Sequence, residues 1–219
     1  MIRPILPARV AVAETFADVP CRLLPEERAA LGDVAEGRRR EFATVRHCAR
    51  RAMGGLGLPP LPLPPGAGGA PRWPDGVVGS MTHCRGYRAA AVARREDARA
   101  VGIDAEPHRP LREGVLERIS LPGERERLAG LERSAEVCWD LLLFCAKEAV
   151  YKAWYPLTGV RLAFGDVEVL LAARTGTFRA HVVGDGARGV AGPVAFGGRW
   201  TVSGDLAAAA VVVPPEPSF

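Results

Sequence analysis

The sequence predicts an α+β protein made of two similar halves, each with a helix packed on an antiparallel sheet. A long helical pattern followed by alternating strands occurs twice along the 219 residues. Residues 79–93 and 199–213 each combine a short strand, a polar turn and an Ala/Val-rich strand, which indicates an internal repeat. We therefore expect one half over residues 1–105 and the other over residues 106–219, each large enough to have its own core.

The first half is expected to contain one long helix, a loop and three strands. Residues 26–53 show helical spacing of apolar side chains, and Gly54-Gly55 is expected to end the helix. Residues 54–76 are rich in proline and glycine. Because proline lacks an amide donor, they are expected to form a long surface loop beside a site. Strands are expected at Val77–His83, Tyr87–Arg94 and Ala100–Glu106.

The second half is expected to combine short helices, one long helix and four strands. Residues 107–134 are mixed and charged, which predicts short helices and loops. Residues 137–155 carry the clearest amphipathic helix pattern, and Pro156 is expected to end that helix. The strands are expected at 166–171, 177–183, 199–203 and 207–213.

The composition favours an anionic partner and a soluble protein. The net charge is +4, and arginine carries nearly all of the positive charge. Such a balance suits phosphorylated cofactors, acidic proteins or nucleic acid, although a solvated basic surface has the same composition. The chain has no apolar run near the roughly 18 to 20 residues of a membrane span, and its first residues do not resemble a secretion signal, so the cytoplasm is expected.

The cysteines and histidines indicate neither disulfides nor zinc. The five cysteines form no CxxC pair, and the four histidines show no metal-ligand spacing. A reduced cytosolic protein is therefore expected, without a disulfide framework.

Two carboxylates lie at the end of a predicted strand. Asp104 and Glu106 are two residues apart, so a strand directs both side chains to the same face. Neighbouring buried carboxylates repel each other unless a cation neutralises them. Oxygen ligands without cysteine or histidine favour magnesium, with manganese as the alternative. A pair of solvated acids at a strand end is the other interpretation.

The second long helix adds Glu148 and Lys152, which are four residues apart and share one face. That face points away from the predicted apolar stripe. A solvated salt bridge explains such a pair as well, but Lys147, Trp139 and Trp154 in the same short segment favour a functional site.

Candidates for phosphate binding occur in the first half. Thr82 and His83 lie where a strand meets a turn, and a hydroxyl and an imidazole there can bond phosphate oxygens or serve the fold alone. The first long helix is rich in arginines, which grip phosphates with paired hydrogen bonds or else form a solvated face. These arginines are Arg38, Arg39, Arg40, Arg46, Arg50 and Arg51.

Taken together, these segments resemble the phosphopantetheinyl transferases of the surfactin-synthetase-activating type, and most closely their actinobacterial members. The segment VGIDAEPH (101–108), followed by FCAKEAVYKAWYPLT (144–158), carries the resemblance. GSMTHCRGYRAAAV (79–92) and REFATVRHCAR (40–50) resemble the two motifs that precede these segments in the family. The ordered set is specific, whereas no single segment is.

The resemblance implies a pseudodimer of two α+β halves with coenzyme A (CoA) bound in the cleft between them. It implies that Asp104, Glu106 and Glu148 bind magnesium, and that Lys152 and His83 contact the phosphates of CoA. Asp104, Glu148 and Lys152 are the expected catalytic residues, with Glu148 acting as a metal ligand or as the acceptor of the serine proton.

The resemblance also assigns residues to the nucleotide end of CoA. Arg38 and Arg46 match arginines near the 3′-phosphate and adenine, and Thr82 matches a phosphate-contacting hydroxyl. Close relatives carry a lysine in the loop before a Gly-x-Pro segment, where this chain reads PPGAGGAPRWP. Arg72 is the nearest cation and is expected to replace that lysine.

The implied reaction moves the 4′-phosphopantetheine arm of CoA to a serine of an acyl or peptidyl carrier protein. Adenosine 3′,5′-bisphosphate is the implied second product. A monomer that binds neither nucleic acid nor membrane is expected. The alternatives are a metal-dependent phosphohydrolase or nuclease, a basic nucleic-acid-binding module, and a family member without activity.

Overall fold

The computed structural model describes residues 1–131, 137–184 and 189–216, and within them the chain forms five α-helices, three short 3-10 helices and eight strands. The helices are α1 (Pro25–Leu31), α2 (Glu36–Gly54), α3 (Val115–Ile119), α4 (Pro122–Leu131) and α5 (Trp139–Thr158). The strands are β1 (Ala11–Thr15), β2 (Val77–Cys84), β3 (Tyr87–Arg94), β4 (Ala100–Pro107), β5 (Val167–Ala172), β6 (Thr177–Val182), β7 (Ala195–Ser203) and β8 (Leu206–Val213). The predicted α+β class is confirmed.

The strands form two antiparallel sheets, each covered by one long helix. The first sheet has the order β1-β3-β2, and the second has the order β4-β8-β7-β6-β5. The buried face of α2, including Ala49 and Met53, packs on Ala90 and Val92 of β3. The helix α5 packs on the second sheet through the largest apolar core of the described residues. Each half therefore has the predicted helix on an antiparallel sheet.

Two hairpins confirm the internal repeat. β2 and β3 pair up to Cys84 and Tyr87, and β7 and β8 pair up to Ser203 and Leu206. Both turns contain a glycine in the left-handed region, Gly86 with φ 79° and Gly204 with φ 58°, a conformation that glycine adopts without steric cost.

The two sheets meet along β2 and β4, and side chains form the joint. The Ile103 amide donates to Ser80 Oγ at 3.1 Å, and the Ala105 amide donates to Thr82 Oγ1 at 3.2 Å. From the first contact to the second, the residue number rises by two in both strands, so β2 and β4 run parallel. Since all four residues are buried, the hydroxyls satisfy β4 amides that would otherwise lack a partner.

The structure corrects the element predictions in four places. The predicted helix over 26–53 is two helices, α1 and α2, because Gly32 has φ 65° at the end of α1 and the chain becomes helical again only at Glu36. The strand β1 (11–15) was not predicted, because its five residues are too few to show a clear alternation of apolar and polar side chains. All five are of intermediate burial in the structure. The helix α5 does not end before Pro156 but continues to Thr158, because the proline lies in the last turn and removes only one backbone hydrogen bond. The strand β7 begins at Ala195 and not at 199. The predicted start was too late because Gly197-Gly198 interrupt the strand pattern in the sequence.

Residues 132–134 of the predicted mixed segment lie outside the described residues. The division of the halves after residue 105 falls inside β4, which pairs with β8 from Ala100 to Pro107, and the position of the division stays a prediction. Among the described residues, the helices are all too short or too polar to cross a membrane.

Candidate active site

A cavity of about 780 Å³, called the main cavity below, is bounded by α2, the loop 65–73, β2 and α5. Its volume lies in the range of sites that enclose small organic ligands. Elements of both halves form its wall. The cationic and imidazole side chains that line it are Arg38, Arg46, Arg72, His83 and Lys152, all of them predicted CoA-binding residues.

Asp104 lies beside this cavity, near the end of β4, and is 5% exposed. Lys152 Nζ donates to its Oδ1 at 2.7 Å and to the Ile103 carbonyl at 3.1 Å. Thr82 Oγ1 also donates to Oδ1, at 3.3 Å. Asp104 Oδ2 is buried and has no hydrogen-bond partner among the described residues. The structure thus brings Thr82 to this carboxylate and not to the cavity wall.

Glu106 and Glu148 are electrostatically coupled to Asp104. Burial raises the pKa of Glu106 to about 7, and the charges of Asp104 and Glu148 contribute to the same shift. Burial also raises the pKa of Glu148, with Asp104 adding to the effect and Lys152 opposing it. The charge of Asp104 therefore reaches both other predicted carboxylates. Neither of them lines the main cavity: Glu148 lines a smaller cavity that shares Tyr151 with it, and Glu106 lines a separate one.

Lys152 is the cation of this acidic cluster. Burial alone would lower the pKa of Lys152, but the carboxylates of Asp104 and Glu148 outweigh that effect and raise it. The side chain therefore remains an ammonium at neutral pH. Its position lets one charge face both the buried carboxylate and the main cavity.

The residues Asp104, Glu106 and Glu148 are the candidate ligands of a divalent ion. Within the described ranges, no group of three or more His, Cys, Asp or Glu side chains has the arrangement of a metal site. The donor chemistry nevertheless fits magnesium: the charge of Asp104 helps to raise the pKa of both Glu106 and Glu148, and Asp104 Oδ2 is buried without a hydrogen-bond partner among the described residues. A hard cation with oxygen ligands would relieve both conditions.

Arg38 and His83 are in direct contact at the rim of the main cavity. Arg38 Nη1 donates to His83 Nε2 at 2.6 Å. A guanidinium has no acceptor, so this imidazole nitrogen carries no hydrogen. Burial lowers the pKa of His83, and the charge of Arg38 lowers it further. The histidine is therefore neutral in this arrangement.

Arg46 is both a cavity residue and a support for the proline-rich loop. It is buried, with its guanidinium 3.2 Å from the centre of the Phe42 ring and its Nε donating to the Leu63 carbonyl at 2.8 Å. Burial lowers the pKa of Arg46 to about 10, so it stays charged at neutral pH. The Leu63 amide donates to the buried carboxylate of Glu27 at 3.0 Å. Two buried charges therefore hold Leu63 from both sides.

Arg72 lies in the same loop, in the position where the sequence predicts a substitute for the lysine. Its backbone amide donates to the Pro64 carbonyl at 2.9 Å, and its side chain lines the main cavity. The structure therefore brings Arg72 to the same cavity as Arg38 and Arg46.

Other cations of the two helices lie outside the site. Arg39 and Arg40 form long ion pairs at the surface, and Arg50 pairs with Glu27 at 2.6 Å. Lys147 is 1% exposed and donates to Glu124 at 2.7 Å, so it joins α5 to α4 and does not face the main cavity.

Sequence reasoning missed Glu41. Its carboxylate lies 3.7 Å from Arg38 and 3.8 Å from His83. The available signal was the three-residue spacing from Arg38, which places both side chains on one face of α2.

Sequence reasoning also missed two aromatic residues of the cavity wall. Tyr151 and Tyr155 line the main cavity, and their ring centres are 5.8 Å apart. The loop approaches Tyr155 through Gly68, where an added Cβ would lie 2.7 Å from the tyrosine oxygen. The spacing of the tyrosines gave one helix face, but the approach of the loop depends on the tertiary fold.

The candidate site is thus a cavity lined by cations from two α+β halves, with the buried pair of Asp104 and Lys152 beside it. Two family models match the chain in the same order. The model of the 4′-phosphopantetheinyl transferase N-terminal domain matches residues 26–93, and that of the 4′-phosphopantetheinyl transferase superfamily matches residues 100–189. The chain belongs to the 4′-phosphopantetheinyl transferase superfamily, as the sequence predicted.

Similar proteins cover nearly the whole chain. The 4′-phosphopantetheinyl transferase Svp of Streptomyces mobaraensis is 51% identical over 97% of this chain and 89% of its own length. PptT of Mycobacterium tuberculosis is 46% identical over 97% of this chain and 98% of its own. Npt of Nocardia iowensis is 45% identical over 93% of this chain and 95% of its own length. PptT and Npt are also named 4′-phosphopantetheinyl transferases.

These similarities confirm the predicted enzyme class, a phosphopantetheinyl transferase related to actinobacterial members. They give no support to a phosphohydrolase, a nuclease or a nucleic-acid-binding module. The family uses CoA as its substrate.

Proposed function

We propose that this chain moves the 4′-phosphopantetheine arm of CoA to a serine of an acyl or peptidyl carrier protein. The observation that carries the proposal is the main cavity, whose cations come from both halves and include Lys152, which bonds the buried Asp104 carboxylate. CoA combines a diphosphate, a 3′-phosphate and an adenine. Arg38 and Arg46 would bind the 3′-phosphate and adenine end, Arg72 a phosphate of CoA, and Lys152 and His83 the diphosphate.

Asp104, Glu106 and Glu148 would hold a magnesium ion, with manganese as the alternative. A bound ion of this kind neutralises charge on a diphosphate and so favours phosphoryl transfer. The unpaired Asp104 Oδ2 and the raised pKa values of Glu106 and Glu148 support this assignment.

Lys152 and His83 would act on the reacting phosphates. Phosphoryl transfer depends on alignment and charge stabilisation more than on covalent help. Lys152 already stands between the buried carboxylate and the main cavity, so its ammonium can stabilise charge that develops on the diphosphate. One such preorganised donor typically contributes about 2 to 4 kcal/mol in the transition state.

Glu148 would receive the serine proton, directly or through water. The serine oxygen attacks the β-phosphorus of CoA, and the bond from that phosphorus to the bridging oxygen breaks. The bridging oxygen leaves on adenosine 3′,5′-bisphosphate with the bonding electrons. The raised pKa of Glu148 makes it a better proton acceptor than an exposed carboxylate.

The carrier proteins are proposed as the protein partners because their helical domains are acidic as a class, whereas this chain has a net charge of +4. We propose that the protein is a monomer, since both halves of the cavity come from one chain. We also propose that it works in the cytoplasm.

Mass spectrometry of an apo carrier protein, incubated with CoA, magnesium and this enzyme, tests the proposal. A mass gain of one phosphopantetheine is expected. Asp104→Asn and Glu148→Gln preserve shape but remove charge, and each is expected to slow the gain about 100- to 1,000-fold.

Glu96→Gln is the matched control, since Glu96 is exposed on the turn between β3 and β4. It is expected to keep the wild-type rate. Folded Asp104→Asn and Glu148→Gln variants that also keep that rate would disprove the site assignment, and absence of any mass gain with the wild type would disprove the substrate assignment.

A further inference from the structure

Glu41 lies within ion-pair distance of two residues of the proposed CoA site, Arg38 and His83. Its carboxylate is 3.7 Å from the Arg38 guanidinium, 3.8 Å from His83 Nε2 and 3.5 Å from the Arg88 guanidinium. An acid in this position repels an incoming phosphate. Its presence therefore requires a role other than direct binding of the ligand.

The contact between Arg38 and His83 is not suited to phosphate binding. His83 Nε2 accepts a hydrogen bond from Arg38, so it has no hydrogen to donate to a phosphate oxygen. For both residues to bind a phosphate, Arg38 must turn away and Nε2 must carry a hydrogen, which comes either from Nδ1 by a change of tautomer or from solvent by uptake of a proton. The Arg38 side chain is 51% exposed, so it can turn without displacing packed groups.

The charges that face His83 come from three elements. Arg38 and Glu41 lie on α2, Lys152 on α5 and Arg88 on β3. Burial and the three cations favour the neutral imidazole, and Glu41 favours the charged one. Once a phosphate has drawn Arg38 away, the ligand and Glu41 both favour the imidazolium.

We propose that CoA binding is coupled to the uptake of one proton by His83, and that Glu41 is the positioning residue that stabilises the resulting imidazolium. The proton comes from solvent and adds to Nε2, which then donates to a phosphate oxygen. Arg88, which is buried and pairs with Asp18 at 2.9 Å, keeps the Glu41 carboxylate in place when Arg38 leaves. The inference rests on the proposed CoA cavity.

The coupling has a definite sign. His83 takes up a proton only between its pKa in the free enzyme, which lies below the ordinary 6.5, and its higher pKa in the complex. The affinity due to the imidazolium is fully present below this window. It is lost as the pH rises through the pKa of the complex.

Calorimetric titration of CoA, without a carrier protein, measures this uptake. The titration is repeated at one pH in buffers with different heats of ionisation, so that the dependence on buffer gives the protons bound. Because a phosphate monoester itself titrates near pH 6, the series is repeated with 3′-dephospho-CoA. The proteins are wild type, His83→Asn, Glu41→Gln and, as the control that removes an equal charge elsewhere, Glu96→Gln.

Wild type and Glu96→Gln are expected to take up protons equally, Glu41→Gln less, and His83→Asn none beyond the ligand's own contribution. The fall of log affinity with pH is expected to flatten in Glu41→Gln, even if the loss of a negative charge strengthens binding at every pH. Equal uptake in wild type and His83→Asn, or in wild type and Glu41→Gln, would overturn the inference while leaving the CoA site intact. Absence of CoA binding to the wild type would overturn the cavity assignment and, with it, this inference.

Discussion

At the scale of single residues, the Asp104 carboxylate depends on one cation. It is buried, and Lys152 is the ammonium that bonds it, at 2.7 Å. Removing one partner of a buried pair leaves the other charged group without compensation, which costs more than the pair contributes. Lys152 therefore has a structural effect in addition to its proposed catalytic one.

The two effects can be separated. Lys152→Met is expected to lower the free energy of unfolding by about 1 to 3 kcal/mol, because it leaves the Asp104 charge unpaired. Adding Asp104→Asn to Lys152→Met is expected to restore part of that stability but none of the transfer activity. Chemical denaturation and the carrier assay on all four proteins complete the cycle. Additive stability changes would show that the ion pair is not energetically coupled.

Spacing alone predicted that Asp104 and Glu106 share a strand face and that Glu148 and Lys152 share a helix face. That the two pairs meet was implied only by the family resemblance, and the structure shows one contact between them, from Lys152 Nζ to Asp104 Oδ1 at 2.7 Å. The role of Glu41 could not be predicted in this way, because it depends on side chains from two strands that reach one helix face only in the folded chain.

At the scale of elements, the packing of β4 on α5 sets the distance between the strand carboxylate and the helix lysine. A Cβ added to Gly102 would come within 2.9 Å of the Ala153 amide nitrogen and closer still to the Ala149 carbonyl oxygen. The two backbones are therefore as close as a glycine permits.

Gly102→Ala is expected to reduce the free energy of unfolding by about 1 to 3 kcal/mol and to reduce transfer activity, because the strand and the helix must separate. Gly130→Ala in α4 is the matched control. An added Cβ there meets no atom within 4 Å, so a gain of about 0.4 to 1 kcal/mol is expected. Thermal and chemical unfolding measure both changes; a Gly102→Ala protein as stable as the wild type would contradict the close packing.

The strand β1 is attached through Glu14. Its carboxylate accepts hydrogen bonds from the Met1 ammonium at 2.7 Å, from the Ile2 amide at 3.0 Å and from the Tyr87 hydroxyl. Burial alone would raise the pKa of Glu14, but these bonds outweigh it and lower the pKa below its ordinary 4.5. Glu14 therefore stabilises the fold above that value, and its contribution is lost as the pH falls through the lower folded pKa.

Glu14→Gln is accordingly expected to cost about 1 to 2 kcal/mol near neutral pH, with the difference from wild type shrinking in acid. Denaturant unfolding over a pH series measures it. Glu96→Gln is expected to track the wild type throughout, and a Glu14→Gln penalty that stays constant down to acid would exclude the ionised carboxylate as its source.

The long elements were predictable and the marginal ones were not. The helices α2 and α5 have apolar stripes extended over several turns, so their periodicity decides the assignment. The strand β1 is short, and only its pairing with β3 makes it a strand. Pro156 misled the prediction of the α5 end, because a proline in a final turn costs little once the helix is packed.

At the scale of the whole molecule, the repeat is clearest in the order of the strands. The order β1-β3-β2 in the first sheet corresponds to β4-β8-β7 in the second, with β6 and β5 added at the far edge. In this correspondence β1 and β4 are the equivalent edge strands of the two sheets. The sequence repeat revealed the hairpins, but strands that pair across large separations leave no local pattern.

The net charge of the whole chain yields a prediction about rate. The basic enzyme is expected to attract an acidic carrier protein over distance, so kcat/KM for the carrier should fall as salt rises at saturating CoA. The carrier assay over a salt series measures it. CoA affinity is measured in parallel at each salt concentration, so that weaker CoA binding is not mistaken for slower encounter. Rates unchanged across the series would exclude electrostatic attraction as a major factor.

The two-sided hold on Leu63 has a consequence for inhibitor design. Arg46 and Glu27 bond the backbone of Leu63, just before the loop 65–73 that forms part of the main cavity wall, so the chain is held in place where it enters that wall. A compound that fills the cavity spends little binding free energy on freezing a mobile wall, which leaves more of it as measured affinity. Rigid, flat molecules shaped to that wall are therefore better starting points than flexible copies of CoA.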